Sequence, residues 1–168
     1  MSHVLLLDTN VWSHLILGDV PKRTKMKADL AALLRKYPGA ARATSGICVA
    51  ECLVAARRLA DSDAATRAEA LFRTEFESAD VMVVPVAELV LDRAATLRAQ
   101  TLLMATQAGG HAAGADGGKL KLPDAIVAAS CLEFDPWAVL VTENDKDFRY
   151  AAQAGLQTIA GLIVERVG

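Results

Sequence analysis

Short apolar runs of strand length alternate with longer segments of helical spacing along this chain. The clearest runs are His3–Leu7, Val81–Pro85 and Ala138–Thr142, each too short for a buried helix and bounded by polar or turn residues. Strands that alternate with helices build a mostly parallel central sheet with helices on both faces. The pattern therefore predicts an α/β fold whose ligands bind at the carboxyl ends of the strands.

The remaining elements follow from caps, prolines and apolar spacing. Gly18–Lys27 is predicted to be a polar connection, and Leu162–Val167 a trailing segment. Two further strands are predicted at Ala41–Thr44 and Gln157–Ile159. Helices are predicted from Thr9, over Lys25–Tyr37, from Ser45 to about Leu59, from Asp61 to about Phe76, from Val86 to about Thr106, from Pro123, and near Phe148–Ala154.

The length of 168 residues predicts a single domain over 1–168, because a chain of this size buries roughly 70% of the surface that it exposes when unfolded. The Gly- and Ala-rich stretch Gln107–Gly118 has neither helical nor strand spacing. We therefore expect a mobile surface loop at about 107–118. No window of 18 uncharged apolar residues is present, which argues against a membrane span.

Charge and cysteine content narrow the class of protein. The net charge of -2 argues against a protein held to nucleic acid mainly by bulk positive charge, although it is compatible with a nuclease that binds a divalent cation. Three cysteines in a chain without a secretory signal predict reduced thiols and a cytoplasmic location. Cys48 and Cys52 are four residues apart, but no Cys or His pair elsewhere completes a tetrahedral metal set. We expect buried, inert thiols.

Four acidic side chains are attached to apolar runs. Asp8 follows Val-Leu-Leu-Leu, and Glu51 interrupts an apolar helix. Asp124 opens a second apolar helix, and Asp145 comes soon after a strand. A carboxylate in a desolvated place is costly unless something neutralises its charge. A divalent cation such as Mg²⁺ or Mn²⁺, which prefers oxygen ligands, would neutralise such a set and activate a water molecule for phosphodiester cleavage.

Three of these acids also have ordinary structural explanations. Asp8 fits the N-cap of the following helix, and Glu51 fits a solvent-facing position on its helix. Asp124 fits the first turn of a helix, where acids complement the helix dipole. Spacing alone therefore does not establish a metal site.

Four segments that occur in order resemble a known family. They are LLLDTNVW, TSGICVAECL, KLPDAIVAASCL and VLVTENDKDF. Together they resemble the PIN-domain family, and in particular the VapC toxins of bacterial toxin–antitoxin pairs, over nearly the whole chain. The resemblance implies an endoribonuclease that depends on Mg²⁺ or Mn²⁺, acts on RNA and is inhibited by a cognate antitoxin protein. It also implies a homodimer.

The resemblance implies roles for individual residues. Asp8, Glu51 and Asp124 match the first three metal ligands of the family. Thr9 and Asn10 match a polar pair that orients the first ligand or the attacking water. The remaining matches are small hydroxyl side chains that line the site, at Ser45 and Thr142.

The chain departs from the family pattern at two places. Cys48 stands where the family often has Thr, which we expect to affect packing more than chemistry. The fourth acid is ambiguous, because the family places it at slightly different distances before the Phe. Asp145 is the first choice, Asn144 the second and Asp147 the third.

Two other functions and one partner surface are also considered. A phosphatase of the haloacid dehalogenase type also begins with Asp after a strand, but its second Asp would fall at Asn10. A metal-free binding module with a PIN-like fold is the other alternative.

The basic side chains Lys119 and Lys121 are the predicted phosphate contacts. An antitoxin helix or strand is expected to cover apolar residues of Lys25–Tyr37 and of the helix after Ser45.

Overall fold

The computed structural model of the chain describes residues 2–107, 120–146, 148 and 163–168. Five strands and six helices are defined in these ranges. In chain order they are β1 (Val4–Leu7), α1 (Thr9–Ile16), α2 (Val20–Lys36), β2 (Ala41–Ser45), α3 (Gly46–Arg57), α4 (Ser62–Phe76), β3 (Val81–Val84), α5 (Glu88–Gln107), α6 (Leu122–Leu132), β4 (Ala138–Thr142) and β5 (Ile163–Arg166).

The strands form one sheet in the order β3-β2-β1-β4-β5, and every neighbouring pair is parallel. In the pairing of β1 with β4, Leu7 lies opposite Val141. Asp8, directly after β1, and Thr142, the last residue of β4, therefore lie side by side at the carboxyl edge of the sheet. The predicted α/β architecture with a parallel central sheet is confirmed.

Side chains alternate between the two faces of the sheet along each strand, so both faces of the central strands are apolar and helices pack on both. Leu6 and Leu140 pack on one face with buried residues of α5 and α6, among them Leu97. Leu5 and Leu7 point to the opposite face, where the core contains Trp12 and Phe72. Apolar side chains thus fill both sides of the central strands, as expected for a parallel sheet.

Two local predictions are wrong. Gly18–Lys27 is not a polar connection, because α2 already begins at Val20. Asp19 caps this helix, since its Oδ1 accepts a hydrogen bond of 3.0 Å from Lys22 N, and Pro21 lies in the first turn. The trailing segment Leu162–Val167 contains β5, an edge strand that pairs with β4. The predicted loop at 107–118, helix at 148–154 and strand at 157–159 fall mostly or wholly outside the described residues.

The cysteines fit the expectation of buried thiols. Cys48, Cys52 and Cys131 are free and buried, which confirms the prediction of packed thiols. Among the described residues, no helix has both the length and the apolar character that a membrane span requires.

Candidate active site

Asp8 stands at the centre of the carboxyl edge, between the end of β1 and the start of α1. Only 5% of its surface is exposed. Its Oδ1 accepts a hydrogen bond of 2.7 Å from Thr9 N, and its Oδ2 accepts one of 2.8 Å from Thr142 Oγ1. Asp8 is therefore the N-cap of α1, as one interpretation held, but the cap occupies only one of its two carboxylate oxygens.

The surroundings of Asp8 disfavour its charged form. Burial raises the pKa of its carboxyl group above the usual range, and the nearby charge of Glu51 acts in the same direction. The hydrogen bonds from Thr142 and Thr9 oppose this effect and lower the pKa. The protein thus holds a carboxylate in a desolvated place, where a cation would stabilise the charge.

Glu51 of α3 is connected to Asp8 through Thr9, the first residue of α1. Thr9 Oγ1 donates a hydrogen bond of 2.5 Å to Glu51 Oε2, while Thr9 N donates to Asp8. Thr9 therefore connects the two carboxylates. The side chain of Glu51 is half-buried, so it is not simply a solvent-facing residue of α3.

Thr142 and Asn144 continue the polar edge after β4. Thr142 is fully buried, and its hydroxyl oxygen accepts a hydrogen bond of 3.0 Å from Asn144 N while its hydrogen goes to Asp8. Asn144 itself is exposed. The hydroxyl of Thr142 thus links the carboxylate of Asp8 to the backbone of the segment that follows β4.

Asp124 is half-buried in the first turn of α6. The short segment 133–137 connects the end of α6 to the start of β4, so the first turn of α6 points towards the carboxyl edge of the sheet. Ser130 of the same helix contacts the end of β2, because its Oγ lies 2.8 Å from Ser45 Oγ. Asp124 precedes Ser130 by six residues, which is roughly 9 Å along the helix axis.

The remaining candidates occupy different positions around this edge. Asp145 is mostly buried, and its Oδ1 lies 3.8 Å from Arg166 Nε of β5. Asn10 is exposed on the first turn of α1. Asp147 and Lys119 lie outside the described residues.

The structure therefore brings together some of the predicted site residues and not others. Asp8, Glu51, Thr9 and Thr142 are linked by direct hydrogen bonds. Ser45 instead contacts Ser130 and caps α3. Within the ranges that the structure describes, no three His, Cys, Asp or Glu side chains are close enough together to hold a metal ion.

Three contacts at the site were not anticipated from the sequence. Cys48 Sγ lies 4.0 Å from Asp8 Oδ1, and burial raises the pKa of its thiol to about 12, so the group is neutral beside the carboxylate. Ser130 supports Ser45 from α6. The third is the contact of His14 with Glu143. The apolar setting of Cys48 was a usable signal, whereas the other two contacts join residues that are far apart in sequence.

Comparison with known proteins agrees with this architecture. The PIN domain model matches residues 5–154, so the chain belongs to the PIN domain family. This match assigns it to a family other than the haloacid dehalogenases. A comparison with curated protein sequences gives no match.

Several solved structures with a similar fold come from toxin–antitoxin systems. VapBC2 from Rickettsia felis, bound to a DNA fragment from its promoter, is 18% identical with a TM-score of 0.62, over 98% of this chain and 99% of that chain. VapBC-5 from Mycobacterium tuberculosis is 22% identical with a TM-score of 0.59, over 98% of this chain and 99% of that chain. VapC20 from the same organism is a toxin that cleaves the sarcin–ricin loop. It is 22% identical with a TM-score of 0.50, over 77% of this chain and 82% of that chain. At this level of identity the likeness shows the fold alone.

Proposed function

We propose that this PIN domain protein is an endoribonuclease that requires Mg²⁺ or Mn²⁺ and acts as the toxin of a toxin–antitoxin pair. The observation that carries the proposal is the buried carboxylate of Asp8, which Thr9 connects to Glu51 at the carboxyl edge of a parallel sheet. Ligands of open α/β sheets bind at this edge. The toxin role is supported by the VapBC systems among the proteins of similar fold.

The residues at this edge fit a hard divalent cation. Asp8 and Glu51 offer carboxylate oxygens, which such cations prefer, and desolvation of Asp8 disfavours its charge in the absence of a neighbouring cation. We assign Asp8 and Glu51 as the principal ligands. Asp124 from α6 and Asp145 from the segment after β4 are assigned as the further acids, with Asn144 and Asp147 as alternatives to Asp145.

The chain's own residues have separate tasks in the proposed reaction. Thr142 and Thr9 fix the two oxygens of Asp8 by hydrogen bonding, and Thr9 also fixes Glu51. We assign the exposed Asn10 to orienting the attacking water or the first ligand, as the resemblance implies. Ser45 caps α3, the helix that carries Glu51, and its hydroxyl also contacts Ser130 of α6. A bound cation supplies charge neutralisation at the phosphate and lowers the pKa of a water molecule. Lys121, exposed at the start of α6, is assigned to the phosphate backbone.

Substitution of the acids tests the proposal. Asp8→Asn and Asp124→Asn should each abolish Mg²⁺-dependent RNA cleavage while the protein stays folded. Asp19→Asn is the matched control, since Asp19 also caps a helix, its side chain is exposed, and Asn is an equally good N-cap. If Asp8 served only as a helix cap, Asp8→Asn would retain RNA cleavage just as Asp19→Asn does. Undiminished cleavage in the Asp8 and Asp124 variants would overturn the assignment.

A groove between α1, α2 and α4 supports the proposed antitoxin partner. It has a volume of about 430 Å³ and contains Trp12, Arg23, Leu34 and Leu71 among its lining residues. Leu34 and Leu71 are 41% and 54% exposed, respectively. Trp12 Nε1 and Arg23 Nε are buried and have no hydrogen-bond acceptor within the described part of the chain.

These features define the kind of segment that would fit. An amphipathic antitoxin segment would cover the exposed leucines of the groove with its apolar side. The lining of this groove includes part of the expected Lys25–Tyr37 surface, together with residues of α1 and α4, but not the helix after Ser45. We therefore propose α1, α2 and α4 as the antitoxin surface.

Charge substitution within the groove tests the partner. Leu34→Asp and Leu71→Asp should weaken the complex with the antitoxin encoded beside this protein and leave RNA cleavage unchanged. Val20→Asp is the control, because Val20 is 73% exposed and does not line the groove. Equal affinity in all three variants would contradict the proposed surface. A protein that is harmless when expressed alone would contradict the toxin role.

The homodimer and the cytoplasmic location remain parts of the proposal. Exposed apolar side chains on α3 and near the start of α5 support self-association: Val54, Val86, Leu89 and Leu91. Light scattering of the purified protein tests this, with a monomer at micromolar concentration as the contrary result. An enzyme that cleaves cellular RNA acts where that RNA is, which is why we place it in the cytoplasm.

A metal-free binding module is the second candidate. It is favoured by one observation, namely that the described residues do not bring three ligating side chains close together. Calorimetry with Mn²⁺ separates the two functions. Heat of binding that disappears in Asp8→Asn supports the nuclease. Absence of binding at millimolar Mn²⁺, together with absence of RNA cleavage, supports the module.

A further inference from the structure

Glu143, the residue directly after Thr142, contacts α1. Its Oε2 lies 2.7 Å from His14 Nε2, and the imidazole N–H donates to the carboxylate. The side chain of His14 is 21% exposed and that of Glu143 is 44% exposed. The contact joins two elements that are 129 residues apart in sequence, so it is a tertiary link rather than a local one.

The link lies one residue beyond the site. Thr142 donates to Asp8, the N-cap of α1, and Glu143 binds His14 in the last turn of the same helix. The segment after β4 is therefore fixed to α1 at both ends of that helix. Gly168 packs on the segment as well, because a Cβ placed on it would lie 3.0 Å from Glu143 Cγ.

We propose that His14 is a positioning residue for this segment. By holding Glu143, it keeps the Thr142 hydroxyl directed at Asp8 and sets the place of Asp145, the assigned fourth acid. A polar segment that follows a strand would otherwise populate more backbone conformations. This inference rests on the proposed function, since it concerns the same acidic site.

Substitution of His14 should weaken metal binding without unfolding the protein. Residues that orient a metal ligand by hydrogen bonding, without binding the metal themselves, contribute about 10–100-fold to metal affinity. Because His14 acts through Glu143, we expect His14→Ala to lower Mn²⁺ affinity about tenfold in calorimetry, and RNA cleavage in parallel. His14→Gln, whose amide N–H still donates to Glu143, should recover most of the loss.

A double-mutant cycle shows whether the two residues act as a pair. Glu143→Ala should match His14→Ala, and the double variant should bind Mn²⁺ no more weakly than either single variant. Arg93→Ala is the matched control, because it breaks a cross-element ion pair of similar exposure, with Glu133, on the α5–α6 side of the protein. Its Mn²⁺ affinity should equal that of the wild type.

The outcomes distinguish this inference from the function on which it rests. A wild-type protein that neither binds Mn²⁺ nor cleaves RNA would overturn both. A wild-type protein that does both, with unchanged Mn²⁺ affinity in His14→Ala and Glu143→Ala, would overturn only the positioning role. A third outcome is that His14→Ala lowers Mn²⁺ affinity, His14→Gln does not restore it, and the effects of His14→Ala and Glu143→Ala add up in the double variant. The hydrogen bond is then not the cause, and the inference fails.

Discussion

Thr142 Oγ1 donates a hydrogen bond of 2.8 Å to Asp8 Oδ2, and it does so across the ends of two adjacent parallel strands. The pairing of Leu7 with Val141 brings the two residues to this position. Backbone register therefore fixes a contact between residues 134 apart in sequence. A buried carboxylate that keeps such a donor is better placed for a cation than one whose oxygens are free to rotate.

We predict that Thr142→Val lowers both stability and metal affinity. Valine has nearly the same shape, but it leaves Asp8 without the hydroxyl donor, and a hydrogen bond to a charged group contributes about 1.5–3 kcal/mol. Urea unfolding in EDTA should show a loss of that size. Thr142→Ser retains the hydroxyl and should keep most of the stability. Equal stability of the Val and Ser variants would contradict the importance of this bond.

A second prediction concerns the buried pair of Ser45 and Ser130, whose Oγ atoms lie 2.8 Å apart. Ser130 Oγ also lies 2.8 Å from Ile126 O, and Ser45 caps α3. Loss of an N-cap costs about 1 kcal/mol, and an unsatisfied buried hydroxyl adds to that cost. Ser45→Ala should therefore destabilise the protein more than Ser130→Ala. The double variant should lose less than the sum of the two, as measured by urea unfolding.

The sequence predicts those parts of the fold whose signal is local. β1 and β4 are uninterrupted apolar runs, and α3 has a serine cap before an apolar stretch, so each was located within a few residues. β5 was not, because Ile163–Arg166 is a short edge strand with polar residues and only its pairing with β4 identifies it. The start of α2 was missed although Asp19 and Pro21 are ordinary start signals, because the lysines that follow suggested a polar connection.

The candidate site was predicted in the same uneven way. Asp8 and Thr142 were each predicted from the sequence as site residues, and the structure shows a direct hydrogen bond between them. The hydrogen bond of Thr9 to Glu51 and the link of His14 to Glu143 depend on how α1 packs against α3 and the segment after β4. No spacing in the sequence encodes such packing. Side-chain contacts between distant segments therefore had to come from the structure.

The cysteines provide a third prediction. Burial raises the pKa of the Cys48 thiol to about 12 and raises the pKa of Cys52 and Cys131 as well. A thiol reacts as its thiolate, so none of the three should react quickly with a disulfide reagent at pH 8 in the folded protein. All three should react after denaturation in guanidinium chloride. Rapid reaction of even one thiol in the native state would show that its surroundings open readily.

The last prediction concerns pH and the surface ion pairs of Glu69. Hydrogen bonds from Arg57 of α3 and Arg73 of α4 lower the pKa of this carboxyl group to about 2, from 4.5. A carboxyl group with a lowered folded-state pKa stabilises the fold above its unfolded pKa, and the contribution disappears as the pH falls through the folded-state value. Glu69→Gln should therefore melt at a lower temperature than the wild type at pH 7, by a small amount because the group lies at the surface.

The difference in melting temperature between Glu69→Gln and wild type should narrow as the pH falls from 4.5 towards 2, because the wild-type carboxylate then takes up its proton. Salt should narrow it at pH 7 too, since exposed charges are screened. Glu77→Gln is a suitable control: Glu77 is exposed, follows the same helix, and has no ion pair with the arginines that hold Glu69. A difference that is constant from pH 7 to 2 would show that the substitution acts through packing of α3 against α4 rather than through charge.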